Sequence, residues 1–539
     1  MKIKFTLLLL LAFIYSQAQV TNQGAPASWE NDNLQGIAPI VMPGFDLAKL
    51  KDEDKINDTK KDRPYRFGYE FLVDYNLKNS GNWETLENGD RLWRIRFFSE
   101  GAKTMNFLFS DFYMPEGASL YLYSNDREDL LGAYDARQNN ENRVLGTWLV
   151  EGEDIWLEYY EPKEHEGEGK LEIFKLVHGY RSSNDFLKST NGINDSGNCH
   201  YDVNCTIGTI DGLKDINKKS VAMMLVGGSG FCTGALINNT SNDGTPYFLT
   251  ANHCYDNDSQ FWAFRFNWIS ENPVCATTAS STNSFNYYQT TSGATHKANR
   301  SQSDFILVEL NQDLPVEWGL VWAGWNRGTT APSSTFGIHH PSGDIMKVSR
   351  DNNAPFSQTL EGISVWIIES WEKGVTEGGS SGSPLFDNNG RIIGQLLGGG
   401  SACNGTSGNG QFDAYGRFDV SWAGGFSSSS RLKDWLDPND SGVLTLDYYM
   451  PTLGVEEIEI KNKINVYPNP SNGVFTVSFD NASSLQYEVY NVLGQNVMKG
   501  ELTSSDNTVN LTESPNGIYI LRLTDAANNT TATHRLVKE

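Results

Sequence analysis

A serine, a histidine and an aspartate stand where the chemistry of an activated hydroxyl could be assembled. Ser381 lies in the small-residue turn Gly378-Gly379-Ser380-Ser381-Gly382, His253 closes the run Leu249-Thr250-Ala251-Asn252-His253-Cys254, and Asp304 opens the apolar run Phe305 to Leu310. A serine hydroxyl is a poor nucleophile near neutral pH. It gains reactivity from an imidazole that takes its proton and a carboxylate that fixes the imidazole's tautomer. The β-rich run before His253 and the adjacent Cys254 put the imidazole at a tethered strand end, and a charged Asp304 at the start of a buried strand requires a partner. Such a set can attack an acyl carbon and pass through a covalent intermediate.

One rival fails on chain order. Gly378-x-Ser380-x-Gly382 also fits a nucleophile elbow with Ser380 as the reacting residue, but that arrangement needs its acid and histidine downstream. The only histidine after Ser380 is His534, far along the chain in a small terminal unit. Ser381 therefore remains, with the order His, Asp, Ser.

The elements that must position these residues fall into blocks. A chain of 539 residues divides into roughly three or four units of about 150 residues. Residues 1–18, with Lys2 and Lys4, an apolar core Leu7 to Ile14 and small Ser16 and Ala18, read as a signal peptide, too short in its apolar run for a membrane span. From 19 to 188 the sequence predicts a cysteine-free antiparallel sandwich, with strands at Tyr69–Tyr75, Leu92–Phe98, Asn106–Phe112, Ser119–Tyr123, Asp154–Tyr160 and Leu171–Val177. The acidic stretch Glu161 to Glu172 reads as a solvated loop, and His165 and His178 have no evident partners. Across 189–450, strands at Ser220–Val226, Phe261–Trp268, Phe305–Leu310, Ile392–Leu397 and Ala414–Val420, with a short helix at Ser430–Leu436, suit a pair of β-barrels closed by a helix. After a linker at 451–463, residues 464–539 form a small β-rich unit with strands at Gly473–Phe479, Tyr487–Tyr490, Asn507–Leu511 and Gly517–Leu523.

The six cysteines, Cys199, Cys205, Cys232, Cys254, Cys275 and Cys403, all lie in the central block. In an exported chain an even, localised set without a CxxC pair favours disulfides, in any of fifteen pairings; the competing reading is a metal held by Cys199, His200 and Cys205. A net charge of −24 argues against nucleic acid or an anionic membrane as partner, and no later run approaches the length of a membrane span.

The central block resembles the bacterial lysyl endopeptidases, trypsin-fold serine proteases. The resemblance is carried by Cys-Thr-Gly-Ala-Leu-Ile-Asn-Asn-Thr (232–240), Leu-Thr-Ala-Asn-His-Cys (249–254), Ser-Asp-Phe (303–305), Trp-Ala-Gly-Trp (322–325), His-His-Pro (339–341), Gly-Val-Thr-Glu (374–377), Gly-Ser-Ser-Gly-Ser-Pro (379–384) and Asp-Ala-Tyr-Gly-Arg (413–417). It implies an all-β, chymotrypsin-like double barrel with His253 as general base, Asp304 as its orienter, Ser381 as nucleophile, and the N–H groups of Gly379 and Ser381 as the oxyanion hole. It also implies Asp413 at the base of a pocket for a basic side chain, with Leu396, Leu397 and Gly398 along the substrate backbone. The implied disulfides are Cys199 with Cys403, Cys205 with Cys275, and Cys232 with Cys254. Leu397 replaces a histidine of the best-known member, which leaves Lys against Arg open.

The resemblance makes 19–188 a propeptide. Animal trypsins insert a new N-terminal ammonium beside an aspartate just before the nucleophile; here that position is Ser380, so release would act by uncovering the site, with Lys188 the expected self-cleavage point. The terminal unit resembles the type IX (Por) secretion sorting domains, through Val-Tyr-Pro-Asn-Pro (466–470), Asn-Val-Leu-Gly-Gln (491–495) and Pro-Asn-Gly-Ile-Tyr-Ile-Leu (515–521); a carbohydrate-binding sandwich is its alternative. Together these readings predict a secreted endopeptidase acting after basic residues, without metal or organic cofactor. Its expected partners are protein or peptide substrates and the type IX machinery. The alternative is a catalytically silent adhesin on the same fold.

Overall fold

Runs of aromatic and β-branched residues alternating with polar ones build the N-terminal part as two sheets. The computed structural model describes residues 24–31, 34–58, 61–181, 196–279, 281, 289–451, 464–479, 484–491, 495–503, 507–525 and 530–539; the signal segment 1–18, Lys188 and linker residues 452–463 lie outside these. One sheet runs Ile40–Val41, Arg91–Phe98, Asp154–Glu161, Ser119–Ser124, Leu130–Tyr134, and the other Val150–Glu151, Thr104–Tyr113, Lys170–Gly179, Gly68–Asn76. Trp93, Phe97, Phe107, Phe109 and Tyr159 are fully buried in their common core.

Local readings of this part need correction where side chains find distant partners. Glu161 is not a solvated loop residue: it ends a strand, is fully buried, and accepts from the Tyr159 hydroxyl (3.1 Å) and from Arg91. His165 and His178 do have partners, Glu168 at 3.0 Å and the Ser99 hydroxyl at 2.7 Å; burial pushes His178 down to about 4. The helix Leu47–Asn57 has no apolar face to announce it. Its N-cap Asp46 accepts from Lys49 N–H at 3.0 Å, and its buried Asp54 holds the Tyr180 hydroxyl (2.7 Å) and Arg66.

The central part is built on two further sheets. The first runs Gln289–Ser292, Ala263–Phe266, Val221–Val226, Gly230–Leu236, Tyr247–Ala251, Phe305–Leu310, Ala294–Arg300. The second runs Tyr201–Asp202, Lys347–Asp351, Thr335–His339, Pro384–Asp387, Ile392–Gly399, Asp413–Arg417, Ile363–Ile368, Phe356–Leu360. The strand expected at Ala414–Val420 ends at Arg417 and gives way to the helix Phe418–Ala423, because Phe418 and Trp422, four residues apart, bury one helical face against Trp325. The expected terminal helix is the short turn Lys433–Leu436.

N-terminal and central parts are not separate bodies. Met223, Leu225, Phe231, Ala263, Trp268 and Ile345 belong to the same core as the N-terminal aromatics, and the rings of Phe67 and Phe231 stack at 4.3 Å. The chain divides instead after Pro451. The last unit has a three-stranded sheet, Ile464–Tyr467, Val474–Phe479, Thr508–Asn510, and a four-stranded one, Asn496–Thr503, Ser484–Asn491, Gly517–Asp525, Thr530–Lys538, around Phe475, Val477, Val489 and Leu521.

Candidate active site

His253 and Asp304 meet because their strands are neighbours. Tyr247–Ala251 and Phe305–Leu310 run antiparallel with Ala251 opposite Phe305, so the residues just beyond one strand and just before the other share one end of the sheet. A single turn, Asn252–Cys254, then swings the imidazole inward, and the Cys232–Cys254 disulfide ties that turn to Gly230–Leu236. Asp304 takes a left-handed conformation (φ 53°), one that aspartate tolerates better than bulkier residues. Its two oxygens face His253, one accepting from the backbone N–H at 3.0 Å and the other bonded to Nδ1 at 2.8 Å. An ionised carboxylate only accepts, so Nδ1 carries the proton and Nε2 is left with its lone pair. Nε2 is buried and has no hydrogen-bond partner among the described residues.

Ser381 comes from the other sheet. Thr233 clamps its turn at two points, N–H to Ser381 O (2.8 Å) and hydroxyl to Gly379 O (2.9 Å), while Gly382 N–H bonds Leu396 O at 2.9 Å. Gly382 (φ 81°) must be glycine, since a Cβ there would lie 2.0 Å from Thr250 Oγ1. Ser380 faces away, its hydroxyl 2.8 Å from Nδ1 of the buried His339.

The Ser381 hydroxyl does not end on His253. It donates to the carbonyl of Lys61 at 3.0 Å, and the Lys61 side chain runs on into a pocket closed by Asp413. There the ammonium meets Ser401 O (2.7 Å), Thr376 Oγ1 (2.8 Å), Ser401 Oγ (3.0 Å) and Asp413 Oδ1 (3.1 Å). The second Asp413 oxygen is held by Trp371 Nε1 (2.6 Å), Thr376 (2.8 Å) and Ser401 (2.5 Å), so the fully buried carboxylate is saturated. Sequence reasoning missed Trp371, Thr376, Ser401 and Lys61; the Asp413 motif was the one pointer to this pocket.

Of the residues expected along the substrate, Leu396 is buried with its N–H and C=O bonded to Ser383 O and Gly382 N–H. Leu397 and Gly398 line a cavity of ≈ 630 Å³ beside Lys61, with His253, Leu360, Ile363 and Phe412. A Cβ at Gly398 would touch the Lys61 Cβ and carbonyl at 3.3–3.4 Å, and one at Gly399 would press on Asp413 Oδ1 at 2.4 Å, so both glycines keep the pocket mouth open. Gly379 (φ 89°) lies against the His340 carbonyl, and among the described backbone bonds neither its N–H nor that of Ser381 reaches Lys61 O.

The remaining cysteines form Cys199–Cys403 and Cys205–Cys275. That removes the metal reading of Cys199, His200 and Cys205: both sulfurs are spent, and His200 lies 3.4 Å from Glu377. Burial alone would raise the Glu377 carboxyl; His200, the Gly197 N–H and Lys61 outweigh it and hold it at about 2.

Comparison with known proteins agrees with this layout. Residues 193–416 match the family model of the lysyl endopeptidase C-terminal domain, and residues 465–539 that of the secretion system C-terminal sorting domain. A lysyl endopeptidase of Pseudomonas aeruginosa is 28% identical over 281 residues, 49% of this chain and 58% of that protein, so the chain spans less than two thirds of this relative. An endo-acting ulvan lyase of Formosa agariphila is 31% identical over 80 residues, 14% of this chain and 16% of the lyase. The solved structure of PorZ, a surface component of the type-IX secretion system of Porphyromonas gingivalis, covers 59% of this chain and 42% of its own at 10% identity and TM-score 0.13, an overlap that carries no argument. The chain therefore joins a lysyl-endopeptidase-like domain, residues 193–416, to a secretion-system sorting domain, residues 465–539, the mark of an exported protein.

Proposed function

We propose that the protein is a secreted serine endopeptidase that cuts polypeptides after lysine. The observation that carries this reading is the seating of Lys61, ammonium on Asp413 and carbonyl at the Ser381 hydroxyl. Ser381 Oγ attacks the carbonyl carbon, His253 Nε2 takes its proton, and Asp304 steadies the imidazolium that results. The collapsing intermediate expels the amine, which collects that proton, and water then hydrolyses the ester by the same route in reverse. The N–H groups of Gly379 and Ser381 hold the oxyanion.

Lysine is favoured over arginine because the ammonium reaches Asp413 directly, while Trp371, Thr376 and Ser401 crowd the carboxylate. A longer, planar guanidinium has to displace one of them. The two sheets of the central part are assigned as the two barrels of a chymotrypsin-like fold spanning 189–450. Residues 19–188 are assigned as its propeptide and 464–539 as the segment read by the type IX machinery.

The test is to free the protein of its N-terminal part and offer matched peptides with Lys, Arg, Leu or Glu before the scissile bond, beside the Ser381→Ala form. Cleavage after Lys, less after Arg, and none by the variant is expected. Equal cleavage by both forms removes the assignment of Ser381, and preference for Leu or Glu removes that of Asp413.

A further inference from the structure

Lys61 occupies the candidate site as a substrate would, and the chain on its far side continues in the same manner. Its side chain is almost out of solvent, and its carboxylate partner lies 352 residues away. A buried ammonium so far from its own sheet needs a reason, because removing a lysine from water is costly without a full set of partners. After it, Asp62 stands exposed, its carboxylate paired with Arg63, and lines the same cavity as His253. Pro64 lies against Gly230, and Tyr65–Arg66 add as an antiparallel strand to Gly230–Phe231 beside the disulfide-bonded Cys232. Strand addition to an exposed edge with one side chain in a pocket is how an extended peptide is gripped. The segment is also anchored on both sides of the bond: Arg181 stacks on the Tyr65 ring at 4.0 Å and pairs with Asp58, and Arg66 pairs with Glu53 and Asp54 of the helix Leu47–Asn57.

We propose that the Lys61–Asp62 bond is the protein's own first substrate: seated uncut it closes the site to other chains, and its cleavage opens the site. The proposal rests on the reading of the protein as a lysine-directed serine endopeptidase. Ser381 Oγ bonds to the Lys61 carbonyl carbon and yields its proton through His253 to the Asp62 nitrogen as the C–N bond breaks. One water then splits the Lys61 ester, leaving a carboxylate on Lys61, an amine on Asp62 and Ser381 restored. In the seated state the carbonyl accepts from the Ser381 hydroxyl and not from the Gly379 or Ser381 N–H groups, so the bond is held short of the polarised position. That pose makes the segment an inhibitor until the carbonyl shifts.

The full chain is made as wild type, Ser381→Ala, Lys61→Gln, Lys61→Ala and the Lys61→Gln/Ser381→Ala double variant, each checked for the same unfolding midpoint. N-terminal sequencing and intact mass are expected to show a new terminus at Asp62 in the wild type, and none there in Ser381→Ala or either Lys61 variant. A fluorescent peptide ending in Ala-Ala-Lys-amide is expected to bind the double variant at least tenfold more tightly than Ser381→Ala. An intact Lys61–Asp62 bond in wild-type protein that hydrolyses an added lysine peptide overturns the proposal and leaves the functional reading standing. A terminus at Asp62 in Ser381→Ala made alone, or equal peptide affinity in the two forms, also overturns it. If no form hydrolyses an added lysine peptide, even after the N-terminal part is removed, the functional reading itself falls.

Discussion

The Lys61 ammonium and the Asp413 carboxylate, 352 residues apart in sequence, lie 3.1 Å from each other with both side chains withdrawn from water. Removing one charge of such a pair leaves the other buried without compensation, at a cost of about 2–5 kcal/mol. For the processed protein, Asp413→Asn is therefore expected to lower kcat/KM on lysine peptides by about a hundredfold or more. Acylation of Ser381 by a small uncharged ester should change little. A parallel loss on both substrates would show that the substitution disturbs the serine turn, not the pocket.

Thr376 and Ser401 supply the other ammonium acceptors while also holding Asp413. Thr376→Ala removes one charge-assisted hydrogen bond from the substrate ammonium and one crowding atom from beside the carboxylate. Lysine turnover should fall about tenfold or more, for a bond worth about 1.5–3 kcal/mol, and the Lys-to-Arg ratio should move toward arginine. Kinetics on a matched Lys and Arg peptide pair decide this; a ratio that rises instead removes Thr376 from the basis of selectivity.

Legibility in the sequence follows how local the cause is. Strands such as Asp154–Glu161 and Phe305–Leu310 stand out because alternation or an apolar run is written within a few residues. His253 and Asp304 could be paired because each sits at the end of such a strand. Asp413 needed a family motif, and the disulfide pairing needed one too, since six cysteines alone permit fifteen pairings. The helix Leu47–Asn57, the buried Glu161 and the seated Lys61 were not legible at all. Each takes a partner far along the chain, Tyr180, Arg91 and Asp413 respectively, that no window of neighbouring residues contains.

The Cys232–Cys254 bridge joins the turn bearing His253 to the strand whose Thr233 clamps Ser381. Replacing both cysteines by serine is expected to cost about 2–4 kcal/mol of stability and to reduce kcat more than KM, since the two candidate catalytic side chains lose their common support. Urea unfolding beside steady-state kinetics measures both. Full activity in a destabilised variant would confine the bridge to stability.

Two buried histidines give acid sensitivity a definite sign. Burial pushes His339 well below its ordinary value and His340 down to about 3, where the Asp344 carbonyl accepts from its Nδ1 at 2.9 Å. Unfolded histidines take up protons near pH 6.5, so below that pH the unfolded chain binds more protons than the folded one. The stability they contribute is complete above pH 6.5 and is lost as pH falls, for His340 over the range from 6.5 to about 3. Each contributes a slope of about 1.4 kcal/mol per pH unit. In Ser381→Ala protein, His340→Asn should reduce the fall in stability between pH 6 and 4 by one such slope. Identical slopes in the two proteins would show that His340 charges in the folded state.

Gln395 is a buried positioning residue for the candidate catalytic pair. Its Nε2 donates to the carbonyls of Ser303 (2.7 Å) and Asp304 (3.2 Å), fixing the left-handed turn from which the Asp304 carboxylate reaches His253. Gln395→Met keeps the volume and leaves the Ser303 carbonyl without this donor, while the Asp304 carbonyl keeps the Asn252 N–H at 2.8 Å, a loss of about 1–3 kcal/mol. A purely structural role would lower only the unfolding midpoint. A positioning role also lowers kcat about tenfold while leaving KM for a lysine peptide unchanged, because the imidazole is misaligned without any loss of the substrate pocket. An unchanged kcat with a lowered midpoint would return Gln395 to the packing of the sheet.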